Sequence, residues 1–158
     1  MERWQNVDLT ESLQNNYLMR GLNKEGIEKV AGLATVRDFA GGDTLVRQFD
    51  KQSDLMIVLE GLIRINTFSG EKIAEGGPGC IIGEISLLDD KPRSATVTSV
   101  GKTKVAVIPS PALWRILDGD PIMAKTMLLN LGQVLCMRIR GANLQLDTVV
   151  GKDYAAKR

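Results

Sequence analysis

Residues 83–97 read GEISLLDDKPRSATV, and this stretch lies between two runs rich in β-forming residues. GEISLL is long enough for one turn of helix, and the first backbone amides of a helix have no hydrogen-bond partners within it. Free amides at a helix start attract anions, and Gly83 adds no side-chain bulk that would keep an anion away. The stretch therefore predicts a short helix that begins at an anion-binding site.

Two charged side chains flank the start and the end of this segment. Arg93 carries a planar fork of donors that fits a phosphate. Glu84 only accepts hydrogen bonds at neutral pH, so beside a phosphate it needs a donor such as a sugar hydroxyl. A phosphate and a sugar held close together describe a cyclic nucleotide. The alternative is an ion pair between Glu84 and Arg93 in a site that binds no ligand.

Short runs rich in Val, Ile and Thr predict β-strands on both sides of this stretch, because such side chains pack well on a pleated sheet. FSGE at 68–71 and VGK at 100–102 have the composition of hairpin turns. Short strands at close and regular spacing predict a mainly β fold with flanking helices, an antiparallel β-roll or jelly-roll barrel. The β-rich region begins near Val36, and its later runs occupy residues 54–61, 62–68, 71–75, 94–100 and 102–109.

Two helices are predicted before the strands. Asp8 and Glu11 have the spacing of a capping box, and the apolar residues after them fall at helical steps as far as Leu18. Residues 24–33 carry a second apolar stripe, which two glycines weaken. Both helices are expected to pack on the outside of the barrel.

A short helix and a long helix are predicted after the strands. Ser110 before Pro111, and Asp120 before Pro121, each combine a capping side chain with a proline in the first helical turn. The long helix is expected to end at about Leu146, and its apolar residues recur at steps of three and four. This coiled-coil-like seam predicts either a core-facing stripe or a homodimer contact. The seam consists of Ala124, Leu128, Leu131, Leu135, Ile139, Ala142 and Leu146.

The composition argues against several classes of function. The chain has no histidine, which removes the usual zinc ligand and the usual catalytic base, so neither a metal site nor an enzyme is expected. Cys80 and Cys136 lie far apart without a CxxC pair, and both are expected to be buried apolar residues. The net charge is only +1, and no apolar run approaches the ~20 residues of a membrane span. No membrane contact is therefore expected, and a cytoplasmic location is the default.

GEISLLDDKPRSATV resembles the phosphate-binding cassette of the cyclic-nucleotide-binding domain family, which includes the catabolite activator protein of bacteria and the regulatory subunits of cyclic-AMP-dependent protein kinase. The resemblance covers roughly residues 22–146, because further segments follow the order of that family. These segments are GD at 42–43, LMIVLEGLIRI at 55–65, IPSPALWRIL at 108–117 and RIRGANLQL at 138–146.

The resemblance implies a set of ligand-binding residues. Glu84 would accept from the ribose 2′-hydroxyl and Arg93 would pair with the cyclic phosphate, with further contacts from Ser94 and from backbone amides of the short helix. Arg138 would either stack its guanidinium on the base or stay a solvated surface residue. Ser94 resembles the small residue of cyclic-AMP sites, so cyclic AMP is the expected ligand and cyclic GMP the alternative. The full set consists of Gly83, Glu84, Ile85, Ser86, Arg93, Ser94, Ala95 and Arg138.

The resemblance also implies how the chain is organised. An N-terminal helical segment (1–34) precedes the β-barrel (35–110) that contains the cassette, and C-terminal helices (111–148) act as a hinge or lid before a tail (149–158). That tail is too short for a helix-turn-helix, so direct DNA binding is not expected. The expected partners are a cyclic nucleotide, a second copy bound through the long helix, and an effector protein of unknown identity. The alternative is a degenerate copy of the fold that serves as a ligand-free interaction module.

Overall fold

Helices and strands follow the predicted order in the structure, a computed structural model that describes residues 6–156. The first elements are α1 (Asn6–Gln14), a 3₁₀ turn (Tyr17–Met19) and α2 (Lys24–Leu33). The strands are β1 (Thr35–Phe39), β2 (Thr44–Val46), β3 (Leu55–Glu60), β4 (Ile63–Asn66), β5 (Lys72–Gly76), β6 (Ile81–Ile82), β7 (Thr96–Ser99) and β8 (Thr103–Ile108). The other helices are α3 (Glu84–Asp89) between β6 and β7, then α4 (Ser110–Gly119) and α5 (Pro121–Ala156).

The strands form two antiparallel sheets of four strands each, which confirms the predicted mainly β class. One sheet has the order β1-β8-β3-β6 and the other has the order β2-β7-β4-β5. In the first sheet Met56 of β3 lies opposite Ile82 on one side and Val107 on the other. The short helix α3 leaves the end of β6 and returns the chain to the second sheet at β7.

Strands β3, β6 and β8 of the first sheet are buried on both faces, whereas β1 at its edge is largely exposed. One face contributes Met56, Val58 and Val107 to a core shared with residues of the second sheet, such as Ile63 and Val97. The opposite face packs with apolar residues of the helices before and after the strands. Burial on both faces explains why β3 reads as the continuous apolar run LMIVL rather than as an alternating strand.

The N-terminal helical segment is held against α5 and against the loop before β6. Asn130 of α5 donates from its side-chain amide to the carbonyls of Leu18 and Arg20, both at 2.8 Å. Asn16 accepts from the amide of Leu18 at 2.9 Å and donates to the carbonyl of Gly79 at 3.1 Å. These bonds connect the 3₁₀ turn to α5 and to the loop that precedes β6.

Several local predictions were wrong. VGK at 100–102 is not a hairpin, because β7 and β8 belong to different sheets and the link between them crosses from one to the other. Helix α1 already includes Asn6, so Asp8 lies inside the helix rather than at its N-cap. Ser110 is the first helical residue, and its hydroxyl bonds Ser53 at 2.6 Å instead of capping α4.

Other local predictions are confirmed. The hairpin at 68–71 joins β4 and β5, and α2 spans the predicted 24–33. Asp120 caps α5 through its carboxylate, which accepts from the amide of Met123 at 3.0 Å.

Helix α5 is longer than predicted, because residues 149–156, expected as part of a tail, continue the helix. Its seam is divided between two environments. Leu131 is buried with Met127, whereas Ile139 and Leu146 are about 60% exposed. The seam is therefore neither a simple core stripe nor a continuous exposed stripe.

Within residues 6–156, α5 is the one helix that is long and apolar enough to cross a membrane, a property that core helices share.

Candidate ligand-binding site

Gly83 sets the geometry of the candidate site at the start of α3. Its φ is +88°, in the left-handed region that side-chain-bearing residues rarely adopt. A Cβ added there would collide with Nη1 of Arg93 and would lie 2.7 Å from the carbonyl oxygen of Asp54. The glycine therefore lets the guanidinium of Arg93 come directly beneath the first turn of α3. The amides of that turn have no partner within the helix, as at any helix start.

Arg93 is a buried cation, with only 3% of the residue exposed. Its Nη2 donates to the carbonyl of Asp54 at 2.8 Å and its Nη1 to the carbonyl of Gly83 at 3.4 Å. Burial lowers the pKa of Arg93, while the carboxylates of Asp54, Glu84 and Asp50 act in the opposite direction. Arginine keeps its proton under all ordinary conditions, so the site contains a buried positive charge.

One nitrogen atom of that buried cation has no hydrogen-bond partner among the described residues. The Nε of Arg93 and the Oε1 of Gln48 are the buried side-chain atoms without a hydrogen-bond partner among the described residues. An unpaired buried donor costs about 1–3 kcal/mol, and more for a charged group. The guanidinium is therefore well prepared for an anion that reaches it from the adjacent cavity.

Glu84 is also buried, but its partner is not Arg93. Its Oε1 accepts from Nη1 of Arg138 on α5, and Nη2 of the same arginine donates to the carbonyl of Ile81. The ion pair between Glu84 and Arg93 that the sequence left open as an alternative is therefore not formed. Among the described residues, Arg138 is the ion-pair partner of Glu84, whose side chain is only 3% exposed.

A cavity of about 410 Å³ brings the predicted residues together. All eight of them line it, although they come from three separate stretches of structure, namely α3 with its N-cap Gly83, the loop before β7, and α5. Inside the cavity Ile85 and Ser94 are exposed, and Ala95 is half-buried. The volume of the cavity lies in the range of small-molecule sites, which are mostly apolar with a few convergent polar groups. Fold and cavity together define a β-roll domain that can enclose a small anionic ligand.

The structure adds cavity residues that the sequence reasoning missed. On α5 these are Gly141, Ala142 and Gln145, which follow Arg138 at helical steps of three and four and share its face. That spacing could have identified them once Arg138 was chosen. The sheet side of the cavity is apolar and consists of Val46, Ile65, Ile73, Ala74, Ile81, Ile82 and Val97.

Arg138 has a partner that the sequence did not indicate, and the cysteines differ from their predictions. The guanidinium of Arg138 is paired with Glu84 and its side chain is 35% exposed, so its stacking on a base stays a prediction. Cys136 is exposed rather than buried, and Cys80 is only partly buried. Burial raises the pKa of the Cys80 thiol, and the nearby positive charge of Arg138 partly opposes this effect. Among the described residues, no group of three or more His, Cys, Asp or Glu side chains is placed to hold a metal.

Comparison with known proteins identifies the family. The sequence model described as "Cyclic nucleotide-binding domain" matches residues 36–120. The chain therefore belongs to the cyclic nucleotide-binding domain family. The matched region contains both sheets, α3 and α4.

Three relatives illustrate the range of the similarity. The cAMP-dependent protein kinase regulatory subunit of Dictyostelium discoideum is 34% identical over 101 residues, which are 60% of this chain and 31% of that protein. Glutaminase 2 of Bradyrhizobium diazoefficiens is 29% identical over 147 residues, covering 89% of this chain and 23% of that one. The chain thus spans less than a third of each of these relatives. The crystal structure of Thermus thermophilus catabolite activator protein has a TM-score of 0.71 at 28% identity, covering 85% of this chain and 63% of that one.

Proposed function

We propose that the protein is a regulatory module that binds cyclic AMP and signals through movement of α5. The observation that carries the proposal is the buried guanidinium of Arg93, whose Nε lacks a partner and which lines the same cavity as Glu84. A phosphate that reaches this guanidinium would supply the missing acceptor and neutralise the charge. Charge-assisted bonds of this kind are among the strongest hydrogen bonds in proteins.

The proposed pose follows from the two charged groups. The cyclic phosphate lies against Arg93, with further donors from Ser94 and from the first-turn amides of Glu84, Ile85 and Ser86. The ribose 2′-hydroxyl donates to Oε2 of Glu84, while Oε1 keeps its bond to Arg138. Gly83 and Ala95 allow close approach. The name of the Dictyostelium relative, a cAMP-dependent regulatory subunit, supports the choice of cyclic AMP.

The signal would pass through Arg138, because this residue joins the cassette to α5. Its guanidinium bonds both Glu84 and the carbonyl of Ile81. A ligand that bonds the carboxylate of Glu84 changes the free energy of the bond between Glu84 and Arg138. The ligand shifts the position of α5 only to the extent that it binds one position of the helix more tightly than another. Movement of α5 is therefore the proposed output of the module.

The outer part of α5 supports a further proposal, that two copies pair through this helix. Ile139, Leu146 and Val149 are each about 60% exposed, and such residues gain free energy when a partner covers them. They lie on the part of α5 that extends beyond the helical core, since Val134 is the last residue of α5 in that core.

An effector protein is the other proposed partner, and neither DNA binding nor catalysis forms part of the proposal. A cytoplasmic location is proposed with it.

Isothermal titration calorimetry with cyclic AMP and cyclic GMP tests the proposed function. We expect heat of binding with cyclic AMP and a rise in the unfolding temperature as the ligand concentration exceeds Kd. A protein that gives neither heat nor a thermal shift with either nucleotide at millimolar concentration would refute the proposal. That result would instead support the second candidate, a ligand-free interaction module, for which the existing pair between Glu84 and Arg138 is the favouring observation.

A further inference from the structure

The cavity extends along α5 beyond the groups assigned to phosphate and sugar. Arg138 contacts Glu84 at one end, and Gly141, Ala142 and Gln145 continue the lining on the same helix face. Seven residues separate Arg138 from Gln145, which is about 10 Å along a helix. This length is comparable to that of a ribose and a purine placed end to end. The far end of the cavity is therefore where the base of a nucleotide would lie.

Small and apolar residues contribute to the cavity wall. Gly141 and Ala142 leave little side-chain bulk on α5, and a Cβ added at Gly141 would meet no atom within 4 Å. Ile73 and Ala74 of β5 line the same cavity from the sheet. An aromatic ring fits between such surfaces, but apolar surfaces do not distinguish one purine from another. Discrimination requires a polar group at the edge of the ring.

Gln145 is the polar side chain that the described lining supplies at that end. We infer that Gln145 is the specificity-determining residue of this site and that its carboxamide selects adenine. The inference rests on the proposed function. A glutamine side chain can bond adenine at two atoms, since its oxygen accepts from the 6-amino group and its nitrogen donates to N7. Guanine presents two acceptors on the same edge, O6 and N7, so the glutamine oxygen would face another acceptor.

Calorimetric titration with three ligands tests this inference. The ligands are cyclic AMP, cyclic GMP and the cyclic 3′,5′-monophosphate of purine riboside, which lacks the 6-amino group. Wild-type protein should bind cyclic AMP about tenfold more tightly than the purine riboside compound, the effect of one good base contact. Gln145→Met preserves the length of the side chain but removes its hydrogen bonds. This variant should bind cyclic AMP and the purine riboside compound with equal affinity.

Asn143→Met is the matched control, because Asn143 is an exposed polar residue of the same helical turn that does not line the cavity. It should keep the wild-type preference. The inference is overturned if Gln145→Met keeps that preference, or if wild-type protein binds cyclic AMP and the purine riboside compound equally well. Wild-type protein that binds none of the three ligands would overturn the proposed function itself, which is a different outcome from binding without discrimination.

Discussion

Replacement of Arg93 by alanine affects both the stability of the fold and the candidate site. In the structure the guanidinium donates to the carbonyl of Asp54 at 2.8 Å and, at a longer 3.4 Å, to that of Gly83. A hydrogen bond from a charged group contributes about 1.5–3 kcal/mol, and the longer contact adds less. We therefore expect Arg93→Ala to lower the free energy of unfolding by about 2–4 kcal/mol.

Ligand affinity should fall as well, because the proposed phosphate contact disappears with the guanidinium. One charge-assisted hydrogen bond is worth about 1.5–3 kcal/mol, which corresponds to a roughly tenfold to hundredfold increase in Kd for cyclic AMP. Urea unfolding without ligand measures the stability, and calorimetric titration at a temperature where the variant is folded measures the affinity. Separate measurements are needed because the ligand binds only the folded state, so partial unfolding of the variant would itself lower the apparent affinity.

Arg64→Ala is the matched control for this experiment. Arg64 pairs with Glu75 at 3.1 Å on the surface of β4, where an ion pair contributes about 0–1 kcal/mol. This variant should keep both the stability and the affinity of the wild type to within that margin. If Arg93→Ala unfolds at the same urea concentration as wild type, the contacts with Asp54 and Gly83 do not stabilise the fold. If its Kd for cyclic AMP is unchanged, the phosphate does not lie against Arg93.

Four further predictions concern other parts of the molecule. Glu84→Gln removes a negative charge without changing the size of the side chain, and it should weaken cyclic AMP binding about tenfold by calorimetry, with unchanged affinity contradicting the ribose assignment. Gly83→Ala should lower the unfolding free energy by at least about 1–3 kcal/mol in urea, because the residue has a φ of +88° and its new Cβ collides with Arg93. Leu146→Glu should shift any dimer to monomer in analytical ultracentrifugation, whereas a monomeric wild type would contradict pairing through α5. The raised pKa of Cys80 leaves less of its thiol as thiolate at about pH 8, so iodoacetamide should modify the exposed Cys136 first. The modification rate of Cys80 should increase as the pH rises, and equal rates for the two cysteines at about pH 8 would contradict this order.

Much of the fold could be predicted because local sequence determines it. The run LMIVL of β3 is apolar at every position, and the turn at 68–71 contains the glycine that a tight hairpin needs. Strands β2 and β6 have only three and two residues, which is too short for any alternation to be visible. The link at 100–102 looks like a hairpin locally, and only the pairing of β7 and β8 with different sheets reveals the crossing.

The candidate site was predictable in part for the same reason. Gly83, Glu84 and Arg93 lie within one short stretch, so their chemistry is visible in the sequence. The partner of Glu84 is 54 residues further along the chain, and no local pattern indicates that contact. Gln145 is separated still further from the cassette, and only its helical spacing from Arg138 connects it with the cavity.

The bond between Glu84 and Arg138 has a thermodynamic consequence for any partner of α5. Coupling between two binding events is reciprocal, so each partner alters the affinity of the other by the same factor. A protein that holds α5 away from the carboxylate would change the Kd for the nucleotide as much as the nucleotide changes the Kd for that protein. The concentration of the effector in the cell would then help to determine the nucleotide concentration at which the module responds.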